Sequence, residues 1–127
     1  MLTYEEVPGT NIVELTIDGA ITTQEFDDVI ARFEASIARH GKIRVLEHVR
    51  SLGGVPPSRY WEDLKFGFKH FRDISHAAIV ARQKWVEIFA NAVNPFFSAD
   101  IRYFDEADLD QARAWLKATD DPATPSA

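Results

Sequence analysis

The sequence predicts an α/β domain with a mostly parallel sheet of about five strands, an N-terminal antiparallel hairpin and four helices in the order ββαβαβαβα. Two observations support this fold. After two alternating segments and a first helical pattern, strand and helix patterns alternate three times, which is typical of a parallel sheet with right-handed crossovers. In addition, residues 77–81 read AAIVA, a continuous apolar run that is expected of a strand covered on both faces.

The first three elements are predicted from alternation and from a capping pattern. Residues 2–7 and 11–18 alternate apolar and polar side chains, and Pro8-Gly9-Thr10 between them is typical of a hairpin turn. Thr22-Thr23-Gln24-Glu25 matches the capping box, and apolar residues at helical spacing follow it as far as Gly41. We therefore predict a hairpin and then a helix that ends at Gly41.

The remaining elements repeat the strand and helix patterns. Strands are predicted at residues 42–49, 76–81 and 100–104. The helices after them are marked by apolar stripes: Trp61, Leu64, Phe68 and Phe71 in the second, Trp85, Ile88, Phe89, Ala92 and Phe96 in the third, and Leu109, Ala112, Trp115 and Leu116 in the fourth, which Asp105 caps. Residues 1–118 are expected to form one domain, and residues 119–127 a flexible tail.

Composition excludes several classes of function. A net charge of −6 argues against nucleic-acid binding, which needs a concentrated basic face. The chain has no cysteine and no H-E-x-x-H pattern, so we expect no disulfide, thiol nucleophile, metal site or cofactor. No apolar run is long enough for a membrane helix, and the acidic N-terminal segment does not resemble a signal peptide. We expect a cytoplasmic protein without stable membrane insertion.

Four segments together resemble a known family. The IDGAIT turn after the hairpin, the strand KIRVLEHV, the segment HFRDISHAAIVARQKWVEIF and the ending IRYFDEADLDQARAWL are similar to the SpoIIAA-like family of small bacterial proteins. The resemblance spans residues 2–117. It implies a fold related to the STAS domains of anti-sigma-factor antagonists and to the CRAL-TRIO lipid-transfer fold. It also implies a regulator or a carrier of hydrophobic ligands, with no established enzymatic chemistry.

A ligand site is predicted where the parallel strands end. In sheets of this type ligands bind at the carboxyl ends of the strands, and Arg50, Arg82 and Lys84 fall at two of these ends. They could meet an anionic head group, or they could simply pair with the surplus of acidic residues. His48 lies beside them as an acid, a base or a structural hydrogen-bonding residue. Asp105 and Glu106, at the same edge, would repel an anion.

Three functions remain open from the sequence. The leading hypothesis is a non-enzymatic binding or regulatory domain that holds an amphipathic or lipid-like molecule, lined by Trp61, Phe68, Trp85, Phe89 and Phe96 and closed by a hinge at Gly53-Gly54. The alternative is a protein-interaction module or homodimer, because Phe66 falls on the polar side of the second predicted helix. An enzyme that uses His48 is the third hypothesis, although no catalytic spacing supports it.

The loop RSLGGVPPSRYW, residues 50–61, narrows these hypotheses. Its two glycines match neither the P-loop nor the dinucleotide pattern, which excludes a nucleotide cradle. The STAS resemblance implies a phosphorylatable serine in a D-S-S-G-type turn after the third strand. Ser51 occupies the matching position, but Arg50 replaces the acid and Leu52 replaces the second serine, which weakens the hypothesis that Ser51 is phosphorylated.

Overall fold

The computed structural model describes residues 1–54, 73–82, 84–85 and 100–119. They form five strands, β1 (Leu2–Glu6), β2 (Ile12–Asp18), β3 (Ile43–Ser51), β4 (Ile74–Ala81) and β5 (Asp100–Asp105). Within these ranges there are two α-helices, α1 (Thr23–His40) and α2 (Leu109–Ala118), and a 3-10 helix, Glu106–Asp108, precedes α2. The second and third predicted helices fall outside the described residues, apart from Lys84 and Trp85, which are helical. The structure confirms the five predicted strands and two of the four predicted helices.

The strands follow one another across the sheet in chain order, β1-β2-β3-β4-β5. β1 and β2 are antiparallel and the other three pairs are parallel, as predicted. The hairpin turn is closed by hydrogen bonds from Val7 N–H to Ile12 O at 3.0 Å and from Thr10 Oγ1 to Val7 O at 2.8 Å. Because β2 to β5 are parallel to one another, their carboxyl ends lie at one edge of the sheet.

The predicted capping box begins α1. The Thr22 side chain accepts a hydrogen bond from the Glu25 N–H at 3.1 Å, and the Glu25 carboxylate accepts one from the Thr22 N–H at 3.1 Å. The second Glu25 oxygen accepts a hydrogen bond from Leu2 N–H at 2.9 Å, which joins the helix to β1. Gly41 ends the helix at a φ of 80°, a backbone conformation that glycine adopts without strain.

Apolar side chains cover both faces of the sheet. On the face that packs against α1, called the α1 face below, alternate strand residues form the larger core, which includes Leu15, Ile17, Val45, Val49 and Ile79. On the opposite face, Leu46, Ala78 and Val80 pack against Ala112 and Leu116 of α2. The double coverage agrees with the apolar run of β4, in which Ala78 to Ala81 are all buried.

Candidate functional site

The register of the strands brings two predicted site residues to neighbouring positions. His48 of β3 pairs with Val80 of β4. Arg50 and Arg82 each lie two residues further along, at the carboxyl ends of these strands. Both cations therefore lie near the carboxyl ends of adjacent strands, which are about 4.8 Å apart. Both side chains are exposed.

A bulge presents Arg50 at this edge. Ile17 pairs with Val49, but the next residue, Asp18, pairs with Ser51, so Arg50 is an additional residue in β3. Such a bulge changes the direction of the side chains that follow it. Leu52, rather than Ser51, consequently enters the core of the α1 face, with 3% of its surface exposed.

Arg82 is stacked on an aromatic ring. Its Cζ atom lies 5.4 Å from the centroid of the Trp85 ring, within the range of a cation–π contact. Trp85 is half-buried and packs against the core of the α1 face, whereas Lys84 is exposed. The predicted edge therefore contains a cation on an aromatic surface that continues into the apolar interior.

These cations differ from Arg39 and Arg113 in their charge partners. Arg39 pairs with Glu6, and Arg113 pairs with Glu14 at 3.0 Å. Within the described residues, no ion pair involves Arg50, Arg82 or Lys84. The interpretation in which these three cations merely neutralise surplus acids therefore finds no support in the described part of the chain.

The two acids predicted to oppose an anion are engaged locally. Asp105 accepts a hydrogen bond from Ala107 N–H at 3.0 Å and caps the 3-10 helix rather than α2, which it was predicted to cap, because the 3-10 turn comes first and leaves Asp108 at the N-cap of α2. Glu106 Oε1 lies 3.2 Å from Nε2 of His48. This contact joins β3 to the turn after β5, which gives His48 a structural role. Its use as an acid or base stays a prediction.

The loop that contains Gly53 and Gly54 packs against the connection between β2 and α1. Ser51 O accepts a hydrogen bond from Gly19 N–H at 2.9 Å, and Ser51 Oγ accepts one from Gly53 N–H at 3.3 Å. Gly53 has a φ of +59°, and a Cβ atom there would lie 2.8 Å from Ala20 N. Gly53 is thus held in place, and Gly54, around which there is open space, is the freer of the two. Phosphorylation of Ser51 stays a prediction.

Five predicted site residues cannot be placed. The aromatic lining residues Trp61, Phe68, Phe89 and Phe96 and the interface residue Phe66 lie outside the described residues. Their roles stay predictions. Among the described residues, no group of three side chains could hold a metal ion, and no helix has the length and apolar character that a membrane span requires.

Sequence reasoning missed a buried carboxyl group on the central strand. Glu47 is 6% exposed, and burial raises its pKa to about 8. Its Oε1 atom and the Tyr103 hydroxyl are buried, and neither has a hydrogen-bond partner in the described part of the protein. A signal was present in β3, because alternation places Glu47 on the same face as Ile43, Val45 and Val49.

A groove with a volume of about 330 Å³ lies elsewhere, between β1 and α1. Its polar groups bond to one another: the Tyr4 hydroxyl contacts Ser36, Ser36 Oγ donates to Glu6 Oε1 at 2.6 Å, and Arg39 pairs with Glu6. The Ser36 hydrogen bond is the largest of the effects that lower the pKa of Glu6. Because these groups satisfy one another, we assign the groove a structural role, the attachment of α1 to β1.

Comparison with known proteins agrees with the fold. The sequence model of the SpoIIAA-like family matches residues 12–117. The chain belongs to the SpoIIAA-like family. A crystal structure of an uncharacterized protein with a SpoIIAA-like fold from Shewanella loihica PV-4 is similar to the SpoIIAA-like domain described here, with a TM-score of 0.66 and 21% identity. The similarity covers 91% of this chain and 92% of that one.

A search of curated protein sequences returned no match. The SpoIIAA-like fold indicates a small regulatory or interaction domain, and the family is generally non-enzymatic. Lipid binding, the relation to the CRAL-TRIO fold and a cytoplasmic location stay predictions.

Proposed function

We propose that this SpoIIAA-like domain is a non-enzymatic binding domain for an amphipathic anion. The anionic head lies at the carboxyl edge of the sheet, and the apolar part lies against the α1 face. The observation that carries this proposal is that Arg50 and Arg82 end neighbouring strands and, within the described residues, have no acidic partner. In a chain with a net charge of −6, such cations are well suited to an external anion.

The contact between Arg82 and Trp85 supports this function. Stacking on an aromatic face holds a guanidinium group in place while its N–H groups remain able to donate hydrogen bonds. A guanidinium fork matches the two oxygens of a carboxylate or phosphate, and such charge-assisted hydrogen bonds are stronger than neutral ones. Since Trp85 also packs against the core of the α1 face, a ligand head at Arg82 brings its apolar part next to that core.

Binding of decanoate to the full chain tests the proposal. We expect the Arg50→Gln/Arg82→Gln double variant to raise the dissociation constant of decanoate by at least about tenfold, because hydrogen bonds to charged groups contribute roughly 1.5–3 kcal/mol each. The matched control is Arg113→Gln, which removes a cation that is already paired with Glu14. Isothermal titration calorimetry measures both, and decylamine serves as the cationic counterpart of decanoate.

Three results would contradict the proposal. The wild-type chain could fail to bind decanoate, it could bind decylamine equally well, or Arg113→Gln could weaken decanoate binding as much as the double variant does. Higher salt should also weaken binding of decanoate, since exposed charges are screened. The competing function, protein interaction around Phe66, stays a prediction. It is tested by comparing the molecular mass in solution of the Phe66→Ser variant with that of the wild type.

A further inference from the structure

Two buried polar groups lie in one row across the α1 face. Leu15, Glu47, Ile79 and Tyr103 are consecutive partners on β2, β3, β4 and β5. Glu47 Oε1 and the Tyr103 hydroxyl are both buried without a hydrogen-bond partner among the described residues. Only one strand, that of Ile79, separates Glu47 from Tyr103.

The side chains around Glu47 in the sheet offer no hydrogen bond. Leu15 and Ile79 flank it on the neighbouring strands, and Val45 and Val49 lie two residues away on either side of it along β3. Buried polar groups in folded proteins are nearly always hydrogen-bonded, and an exception needs a cause such as a catalytic role or an absent molecule. Two such groups in the same row suggest a single cause.

This row is connected to the proposed ligand edge. Ile79, which lies between the two polar groups, is three residues before Arg82 on β4, so the row lies about 10 Å from Arg82 along the strand. Trp85, which stacks with Arg82, and Tyr103 both pack against the same core. The row and the Arg82–Trp85 contact therefore share one face of the sheet.

We propose that Glu47 and Tyr103 form an internal site that hydrogen-bonds an uncharged hydroxyl or carbonyl group on the apolar part of the bound molecule. This inference rests on the proposed function and specifies its ligand: an amphipathic anion with a second, uncharged polar group about 10 Å from its head. Burial raises the pKa of Glu47 to about 8, so its carboxyl group is mostly protonated at neutral pH. In that form it both donates and accepts a hydrogen bond.

Three probes and a set of variants test the internal site formed by Glu47 and Tyr103, called the inner site below. Dissociation constants are measured for decanoate, ω-hydroxydecanoate and uncharged decanol with the wild-type chain, Glu47→Leu, Glu47→Gln and Tyr103→Phe. We expect the wild type to bind ω-hydroxydecanoate about tenfold more tightly than decanoate, because the terminal hydroxyl reaches the row. Glu47→Leu and Tyr103→Phe should remove this preference. Glu47→Gln, which retains a donor and an acceptor, should keep it.

The outcomes separate this inference from the proposed function. Equal affinity of the wild type for decanoate and ω-hydroxydecanoate overturns the inner site, and so does a preference that persists in both Glu47→Leu and Tyr103→Phe. If decanol binds and Glu47→Leu weakens that binding, while charge removal at Arg50 and Arg82 has no effect on decanoate, the inner site stands and the edge proposal fails. Tyr103→Phe removes one oxygen only, which keeps the test decisive even if Glu47→Leu folds poorly.

Discussion

Arg44 Nε donates a hydrogen bond to Asn11 Oδ1 at 2.6 Å, and both side chains are buried, with 4% and 1% of their surfaces exposed. The same guanidinium donates through Nη1 to Leu116 O at 2.6 Å and to Thr119 O at 3.0 Å. These carbonyls lie at the C-terminal end of α2, where the helix leaves acceptors unsatisfied and favours positive charge. Arg44 thereby attaches the last helix to the sheet.

Replacement of Arg44 should therefore destabilise the domain strongly. We expect Arg44→Met to lower the free energy of unfolding by about 3 kcal/mol, because it leaves buried acceptors without donors. Urea denaturation measures the change. The matched control is Arg113→Met, because Arg113 forms its ion pair with Glu14 at the surface, and we expect it to cost less than about 1 kcal/mol. Equal effects of the two substitutions would show that the buried contacts of Arg44 are not important for stability.

The stability of the protein should depend on the protonation of Glu47. Burial raises the pKa of Glu47 from 4.5 to about 8, so between these values the folded state binds a proton that the unfolded state has lost. The free energy of unfolding should fall as pH rises through this window, by up to about 1.4 kcal/mol per pH unit. Glu47→Gln should remove this contribution, which urea denaturation at a series of pH values would detect.

Glu6→Gln is the control for this pH dependence. The hydrogen bond from Ser36 and the charge of Arg39 lower the pKa of Glu6, so its contribution is lost only as pH falls below 4.5. Above pH 4.5, the free energy of unfolding of the Glu6→Gln variant should change with pH in parallel with that of the wild type. A difference between wild type and Glu47→Gln that stays constant from pH 5 to pH 8 would mean that Glu47 is charged in the folded protein.

The two loop glycines should tolerate substitution unequally. Gly53→Ala places a Cβ atom 2.8 Å from Ala20 N at a φ of +59°, so it combines backbone strain with a backbone clash. We expect a loss of about 2 kcal/mol or more in the free energy of unfolding. Gly54→Ala carries the strain of a φ of +89° without a clash and should cost about 1 kcal/mol. Thermal denaturation compares them, and a smaller loss for Gly53→Ala would contradict the close approach.

Ser36 should control the ionisation of Glu6. Its hydrogen bond is the largest of the effects that lower the pKa of Glu6, so Ser36→Ala should raise that pKa toward 4.5. It should also destabilise the protein by about 1–2 kcal/mol, because the buried Tyr4 hydroxyl loses a partner. An NMR titration of the Glu6 carboxyl measures the shift. Tyr4→Phe, which leaves the bond from Ser36 to Glu6 intact, should change the pKa of Glu6 much less.

Much of the fold was predictable because its signals are local. The capping box at Thr22 and Glu25, the hairpin at Gly9 and the apolar run of β4 each depend on a few adjacent residues. The strand ends at Arg50 and Arg82 followed from the expected parallel sheet. The bulge at Arg50 was not predicted, because it depends on how β3 pairs with β2 rather than on the sequence of β3 alone.

The buried polar groups were harder to predict because they depend on distant partners. Alternation places Glu47 on an apolar face, but only the strand order and register put it in one row with Tyr103. The same holds for Arg44, whose partners Asn11 and Leu116 are far from it in the sequence. A charged residue at an apolar position of a strand indicates that such a contact exists. Only the structure identifies the residue that it contacts.

The sequential strand order also bears on how the chain folds. Each strand of the sheet pairs with the strand before it or after it in the chain, so no pairing requires the closure of a loop that spans another strand. Each parallel pairing nevertheless joins residues 24–33 positions apart, and such non-local pairing slows folding relative to that of helical proteins. The hydrogen bonds of Arg44 to Leu116 and Thr119 span 72 and 75 residues, so they close a much longer segment of the chain than any strand pairing does.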